Sequence, residues 1–146
     1  MKFKMMFFVL FLFSPAANAG NPEVEYYPLS LERQLPFSEA VRVGHVLYLS
    51  GMIGNVGGTL VLAEGGIQGE TRQALENIKS TLEKHGSSMS EVVKCTVFLA
   101  DIAEWPAMNE VYIQYFQTNP PARSALGTSG LALESRVEIE CMATVQ

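Results

Sequence analysis

Residues 92–100 read VVKCTVFLA, and the alternation of apolar with less apolar side chains predicts a β-strand. One face of this strand would carry the apolar residues Val93, Cys95, Val97 and Leu99. The other face would carry Lys94, Thr96 and Phe98. Because such a strand buries one face, the flanking segments must supply the elements that cover it.

A helix is predicted on each side of this strand. Residues 67–85 place five apolar side chains at helical spacing, Ile67, Ala74, Leu75, Ile78 and Leu82. Gly86 can cap the end of this helix. After the strand, Asp101 can cap a second helix that runs to about Gln117, before Pro120 and Pro121 stop it. Its buried stripe would comprise Trp105, Met108, Val111, Tyr112 and Tyr115.

The remaining segments supply further strands. Residues 40–43 and 46–50 would form a hairpin around Gly44 and His45, and residues 59–62 a short third strand. The final strands would be residues 123–127 and 136–145. Residues 23–38 contain prolines that suit an irregular segment at a sheet edge. This order predicts an α/β (α+β) fold, a mixed sheet with both helices packed on one face.

The sheet face away from the helices needs another cover. Along the last strand, one face would carry Val137, Ile139, Cys141, Ala143 and Val145. The other would carry Arg136, Glu138, Glu140, Met142 and Thr144, which is neither fully apolar nor fully solvated. Phe98 adds a large aromatic beside Thr96 on the same open side. We therefore expect a partner subunit to cover this face.

The N-terminus predicts an export signal. Lys2 and Lys4 precede the apolar run at residues 5–13, and Ala17 and Ala19 stand where a signal peptidase reads small residues. Residues 1–19 are therefore expected to be a signal peptide, cleaved before Gly20. The alternative, an uncleaved anchor, needs a longer run, because this one covers only about half of a ~30 Å hydrocarbon core.

The mature chain would then be one domain, residues 20–146, located in the periplasm or secreted. With 10 basic and 15 acidic residues the formal net charge is −5, and loss of Lys2 and Lys4 makes it more negative. The remaining basic residues are scattered, so nucleic-acid binding is not expected. No second apolar stretch of spanning length follows, so no membrane contact is expected after cleavage.

Cys95 and Cys141 are the only cysteines. An oxidising compartment would permit a disulfide, but bonded cysteines need Cα atoms within about 7 Å, and sequence alone does not make their two strands neighbours. Because free cysteine is among the most buried residue types, two buried free thiols are expected.

Common catalytic and metal-binding patterns are absent from the sequence, including CxxC, HExxH, GxSxG and GxGxxG. His45 lies in a predicted turn and His85 at a predicted helix end, so they make a weak case for a metal site. No metal is therefore expected.

The strongest chemical candidate is Arg123, within Pro-Ala-Arg-Ser at residues 121–124. The prolines fix the backbone before it, and a planar guanidinium suits a carboxylate ligand. Glu138 follows in a predicted strand. The alternative is a structural ion pair between Arg123 and Glu138 or Glu140, because most such pairs do no chemistry.

Several segments resemble, in order and spacing, the RidA/YjgF family. They are Phe37, Gly44, Ser-Gly-Met-Ile at 50–53, Asn77, Val97 with Phe98, Asn109 with Tyr112, residues 121–124, and Val-Glu-Ile-Glu at 137–140. The resemblance extends from about Pro36 to Val145, and the last two segments are the most specific.

This resemblance implies a chorismate-mutase-like fold, a homotrimer with ligand clefts between subunits, and no cofactor. It implies hydrolytic deamination of reactive enamine/imine intermediates to 2-keto acids and ammonia. Arg123 would grip the substrate carboxylate, and Glu138 would position the water that attacks the imine carbon. The backbones of Gly51 and Ala125 would line the cleft, and Phe37, Ser50 and Asn109 would complete its wall.

Three positions depart from the family pattern. Tyrosine often stands in place of Phe37, glutamine in place of Met52, and cysteine in place of Ala125. The first two changes make the cleft more apolar and favour substrates with larger or more hydrophobic side chains. Burial and Arg123 would move the pKa of Glu138 in opposite directions.

Export leaves other functions open, because the usual imines of the family arise from pyridoxal-phosphate chemistry in the cytoplasm. Exported amino-acid or amine oxidases are another source. The alternative functions are a non-catalytic carboxylate-binding protein and a holdase-type chaperone of the cell envelope. The acidic charge disfavours an endoribonuclease.

Overall fold

The strand expected at residues 92–100 forms an interior strand of a mixed β-sheet, next to one edge. The computed structural model describes residues 20–29 and 35–146, so the predicted signal peptide lies outside the described residues. The strands within these residues are β1 (Val24–Pro28), β2 (Ser38–Val43), β3 (Val46–Leu49), β4 (Met52–Ile53), β5 (Val92–Leu99), β6 (Ala122–Gly127) and β7 (Val137–Thr144). The α-helices are α1 (Gly66–Lys84) and α2 (Trp105–Tyr115).

The strand order is β1-β2-β3-β7-β5-β6, and β4 also pairs with β7. β5 and β6 run parallel, whereas the other pairs are antiparallel. Leu75 and Ile78 of α1 and Met108 of α2 belong to the same buried cluster as Val97 and Ile139 of the sheet. Both helices therefore cover one sheet face, and the predicted fold class is confirmed.

The start of α2 differs from the prediction. Asp101 accepts a hydrogen bond from the Ala103 N–H at 2.9 Å, but it caps the short 3-10 turn Ile102–Glu104, and α2 begins only at Trp105. No helix in residues 20–29 and 35–146 is long and apolar enough to cross a bilayer.

The N-terminal segment is more regular than predicted, because it contains β1. This strand lies at the sheet edge, where Pro28 is tolerated, and its register with β2 shifts between Tyr27 and Pro28. The Tyr27 ring stacks on the His85 ring with centroids 4.1 Å apart. His85 Nε2 lies 2.9 Å from Glu39 Oε1, so this histidine ties the end of α1 to β2.

The strand predicted at residues 59–62 does not form. The Val56 N–H donates to the Val61 carbonyl at 2.9 Å, and only Leu62 makes a bridge, with Asn55. The turn at Val56–Gly58 uses positive φ at Gly57 and Gly58. Since glycine adopts this conformation readily, the chain closes a loop there instead of extending.

The apolar face of β5 begins one residue earlier than predicted. Val92 is buried, whereas Val93 is 49% exposed. The register between β5 and β7 is irregular between Val92 and Lys94. A bulge of this kind adds one residue and reverses the face of the side chains before it, which the period of two could not predict.

The expectation of free thiols is wrong. Cys95 on β5 lies directly opposite Cys141 on β7, and a disulfide joins them with a Cα–Cα distance of 4.1 Å. Directly opposed residues of an antiparallel pair come this close in alternate positions of the ladder. The two cysteines are 46 residues apart in sequence, so only the strand pairing reveals their proximity.

Candidate functional site

The candidate residues divide into two groups on opposite faces of the sheet. Arg123 lies opposite Cys95 in the register of β5 and β6, on the face that the helices cover. Glu138 lies opposite Phe98, between the buried residues Val137 and Ile139, so it projects from the open face. Within one chain the two side chains therefore do not meet.

Arg123 is held by residues of α2. Its Nη1 donates to Asn109 Oδ1 at 2.7 Å. Its guanidinium carbon lies 4.5 Å from the ring centroid of Tyr112 and 5.7 Å from that of Trp105. These contacts fix the guanidinium plane and leave further N–H donors for a ligand, as cation–π and planar hydrogen-bond geometry favour.

No carboxylate within the described residues lies within ion-pair distance of Arg123. The alternative of a structural pair with Glu138 or Glu140 is therefore wrong for the single chain. The reason is the alternation of β7, which directs both glutamates to the open face. A half-buried arginine without an acidic partner is a site that can accept an external carboxylate.

Tyr112 is buried, and its ring packs against the guanidinium of Arg123. The Tyr112 hydroxyl is buried and has no hydrogen-bond partner within residues 20–29 and 35–146. Burial raises the pKa of Tyr112 to about 12, although the charge of Arg123 acts to lower it. The phenol therefore stays neutral at physiological pH and presents its ring to the cation.

Trp105 was expected in the buried stripe of α2, but it is 40% exposed. The sequence reading missed that Trp105, Asn109 and Tyr112 all face Arg123. Their spacing of four and three residues places them on one side of a helix, which was the available signal. Met108, Val111 and Tyr112 are buried as predicted, and Tyr115 is half-buried.

Glu138 lies over Gly51, the residue directly before β4. A Cβ atom placed on Gly51 would lie 1.9 Å from Glu138 Oε1, so the absence of a side chain makes room for the carboxylate. Burial, together with the negative charge of Glu140, raises the pKa of Glu138. Since Arg123 lies on the other sheet face, the lowering influence expected from it is absent within one chain.

Phe37 and Ser50 lie near this second group. They line a cavity of about 380 Å³ together with Tyr26, Val41 and Tyr48 of the open face. The Ser50 hydroxyl donates to the Ser38 carbonyl at 2.6 Å, and Phe37 is 51% exposed. The ring of Phe37 is therefore available to a ligand or to a second copy of the chain.

The other candidate positions contribute less directly. Ala125 is half-buried on β6, opposite Val97 and on the same side as Arg123. Met52 packs against the core, so its difference from the family pattern does not change the open face. Within the described part of the chain, no cluster of three or more His, Cys, Asp or Glu could hold a metal ion.

The comparisons with known proteins agree on one family. The sequence model of the family described as Endoribonuclease L-PSP matches residues 29–145. A 2-iminobutanoate/2-iminopropanoate deaminase from Dermatophagoides farinae is 40% identical over 82% of this chain and 93% of its own length. The human protein of the same name is 44% identical over 74% of this chain and 79% of its own length.

A solved structure gives the same result. The crystal structure of RidA from the Antarctic bacterium Psychrobacter sp. PAMC 21119 has a TM-score of 0.72 and 32% identity, and the match covers 86% of this chain and 99% of that one. The chorismate-mutase-like fold implied by the sequence resemblance is therefore confirmed.

Proposed function

Since this chain belongs to the Endoribonuclease L-PSP family, which includes the RidA and YjgF proteins, we propose that it is an imine deaminase. It hydrolyses reactive imines that carry a carboxylate and releases a 2-keto acid and ammonia. The names of its deaminase relatives support this activity. The observation that carries the proposal is the guanidinium of Arg123, which Asn109 holds in place and which has no carboxylate partner among residues 20–29 and 35–146.

In this proposal, the active site is complete only when two copies of the chain meet. Arg123 and Glu138 project from opposite faces of one sheet, so a cleft that uses both must take one residue from each of two subunits. A homotrimer would form three such clefts and would cover the open face, where Tyr26 and Tyr48 are exposed. Both features support the assembly, since large exposed aromatics mark interfaces.

The proposed chemistry needs orientation and proton transfer but no cofactor. Arg123 binds the substrate carboxylate, and this contact fixes the imine carbon in the cleft. Glu138 accepts a proton from a water molecule as that water attacks the carbon, and it returns the proton to the nitrogen. Collapse of the resulting carbinolamine breaks the carbon–nitrogen bond and releases ammonia. Burial and Glu140 raise the pKa of Glu138 within one chain, and Arg123 of the second subunit would act in the opposite direction in the proposed cleft.

The test is the rate of keto-acid release from imines that an amino-acid oxidase generates in situ. The purified protein should accelerate release beyond spontaneous hydrolysis, and Arg123→Ala and Glu138→Ala should abolish the acceleration. Arg72→Ala and Glu83→Ala are matched controls, since both residues are exposed on α1. If neither site variant changes the rate, the proposed cleft is wrong.

A second candidate function is carboxylate binding without turnover. It is favoured because Asn109 and Tyr112 hold Arg123 within a single chain. Binding of a carboxylate by Arg123 would therefore need no contribution from Glu138. This candidate predicts saturable binding of 2-keto acids and no acceleration of imine hydrolysis. A holdase role would instead survive in Arg123→Ala, and ribonuclease activity would appear as digestion of RNA by the purified protein.

We further propose that the protein works outside the cytoplasm. The disulfide between Cys95 and Cys141 supports this location, because such bonds persist in oxidising compartments. Imines released there by amino-acid oxidases, which retain the carboxylate that Arg123 would bind, are then its natural substrates.

A further inference from the structure

We propose that Trp105 determines specificity, by contacting the side chain of a ligand whose carboxylate Arg123 binds. This inference rests on the proposed function, since it takes Arg123 as the carboxylate site. The ligand class it selects is 2-imino and 2-keto acids with large apolar side chains.

Two aromatic rings flank Arg123, and they differ in accessibility. Tyr112 is closer, at 4.5 Å from the guanidinium carbon, but only 5% of it is exposed. Trp105 lies at 5.7 Å and is 40% exposed. A ligand that reaches Arg123 from solvent can therefore contact the indole, whereas the phenol is covered.

Arg123 keeps N–H donors for a ligand within a short distance of this ring. Nη1 is engaged by Asn109 Oδ1, so a carboxylate must use the remaining N–H groups of the guanidinium. Bound carboxylate oxygens lie about 3 Å from these nitrogens. An apolar substituent on the next carbon can then lie against the indole, whose centroid is 5.7 Å from the guanidinium carbon. A larger apolar substituent gains more from this contact, because it buries more apolar surface.

The backbone of Trp105 is held at the start of a helix, and its ring offers an exposed apolar surface. Trp105 begins α2, directly after the capped 3-10 turn Ile102–Glu104, and Pro106 follows it. The neighbouring carboxylate of Glu104 is engaged by Arg136, so it neither binds Arg123 nor adds free negative charge at the ring. A rigid indole offers a large contact area at little cost in conformational entropy.

The sequence supplies a direct reporter, because Trp105 is the only tryptophan. We would titrate the purified protein with pyruvate and with 4-methyl-2-oxopentanoate and record tryptophan emission. We expect a saturable change with both, with an apparent Kd about tenfold lower for 4-methyl-2-oxopentanoate, and no change in Arg123→Ala. Emission that does not respond to either acid, in protein that binds them by calorimetry, overturns the inference.

A second measurement compares turnover of the imines derived from leucine and alanine. We compare kcat/KM for the leucine-derived imine with kcat/KM for the alanine-derived imine. Trp105→Ala should lower the ratio of the first value to the second by about tenfold, and Trp105→Phe should retain most of the original ratio. Ile113→Ala is the matched control, since Ile113 is an apolar residue of the same helix that is 61% exposed. An unchanged ratio in Trp105→Ala overturns the inference.

Failure of this inference and failure of the proposed function are distinguishable. If the unmodified protein accelerates no imine, the proposed function is wrong, and the emission titration alone decides the role of Trp105. In the other case the unmodified protein accelerates imine hydrolysis and Arg123→Ala does not, while Trp105→Ala leaves the ratio of kcat/KM for the two imines unchanged. The proposed function then holds, and the role of Trp105 is rejected.

Discussion

Arg123 and Glu138 project from opposite faces of the same sheet, on strands that flank β5. Arg123 faces α2, where Asn109 and Tyr112 hold it, and Glu138 faces the open side over Gly51. The two candidate residues of a single chain therefore do not meet. The proposed chemistry consequently depends on how one copy of the chain meets another.

Mixed assemblies should test this directly. Co-expression of Arg123→Ala with Glu138→Ala should restore about a quarter of the activity, because random assembly gives that fraction of clefts an intact arginine and an intact glutamate from different subunits. Each variant alone should be inactive. The readout is keto-acid release by the co-purified mixture.

The control is a mixture of the two variants purified separately and combined without subunit exchange, which should remain inactive. Co-expressed mixtures that also stay inactive, although mass analysis finds both variants in one oligomer, would show that each site uses a single chain.

The regular elements could be predicted from the sequence because their periods are strong. Ile67, Ala74, Ile78 and Leu82 repeat at helical spacing, and all four are buried on α1. The hairpin of β2 and β3 forms around Gly44 as expected, with positive φ at that glycine. In each case a local pattern and the tertiary packing favour the same structure.

The errors arise where non-local contacts decide. Val93 is displaced by a bulge whose cause lies in pairing with β7, and the Cys95–Cys141 bond depends on the register of that same pair. Trp105 is 40% exposed and lies beside Arg123, although its spacing matches the core. For the candidate site, the residue types were identified from the resemblance, but their division between two faces required the register of the strands.

The disulfide should contribute substantially to stability. A loop of 46 residues closed in the unfolded chain corresponds to roughly 4 kcal/mol in the chain-entropy model. We therefore expect a Cys95→Ala/Cys141→Ala double variant to unfold at clearly lower urea concentration. Equilibrium urea unfolding with and without dithiothreitol is the measurement. Dithiothreitol should not change the stability of the double variant, which therefore serves as the control for the reductant. Equal stability of the oxidised protein and the double variant would contradict the prediction.

Glu138 should make stability depend on pH. The pKa of this carboxyl is raised above its ordinary value of 4.5, chiefly by burial and also by Glu140. Its contribution to stability is therefore fully present below pH 4.5 and is lost as pH rises through the raised pKa. Replacing it by glutamine removes this loss, so the Tm of Glu138→Gln relative to the unmodified protein should increase from pH 4 to pH 7.

Thermal unfolding across that pH range gives the answer, with Glu83→Gln as the control for removing an exposed glutamate of α1. Glu83→Gln should show no comparable trend. A relative Tm of Glu138→Gln that falls with pH would contradict the prediction; it would mean that Arg123 of the second subunit in the proposed cleft lowers the pKa of Glu138 by more than burial and Glu140 raise it.

Two glycines near the site should respond differently to the same substitution. In Gly51→Ala the new Cβ would lie 1.9 Å from Glu138 Oε1, the end of a flexible side chain that can move away. The fold should survive, but the displaced carboxylate should lower kcat/KM for imine hydrolysis by about tenfold or more.

In Gly54→Ala the Cβ would lie 2.5 Å from Glu70 Cα, a backbone atom of α1 that cannot move away. This variant should lose about 1–3 kcal/mol of stability by overpacking.

Measuring Tm and kcat/KM for both variants separates the two effects. Gly51→Ala should keep its Tm and lose activity, and Gly54→Ala should lose Tm first. Full activity in a folded Gly51→Ala protein would mean that the position of Glu138 over Gly51 does not matter for the reaction. The role of Glu138 in orienting water would then have to be assigned to another group, because a carboxylate displaced by a methyl group cannot hold the same geometry.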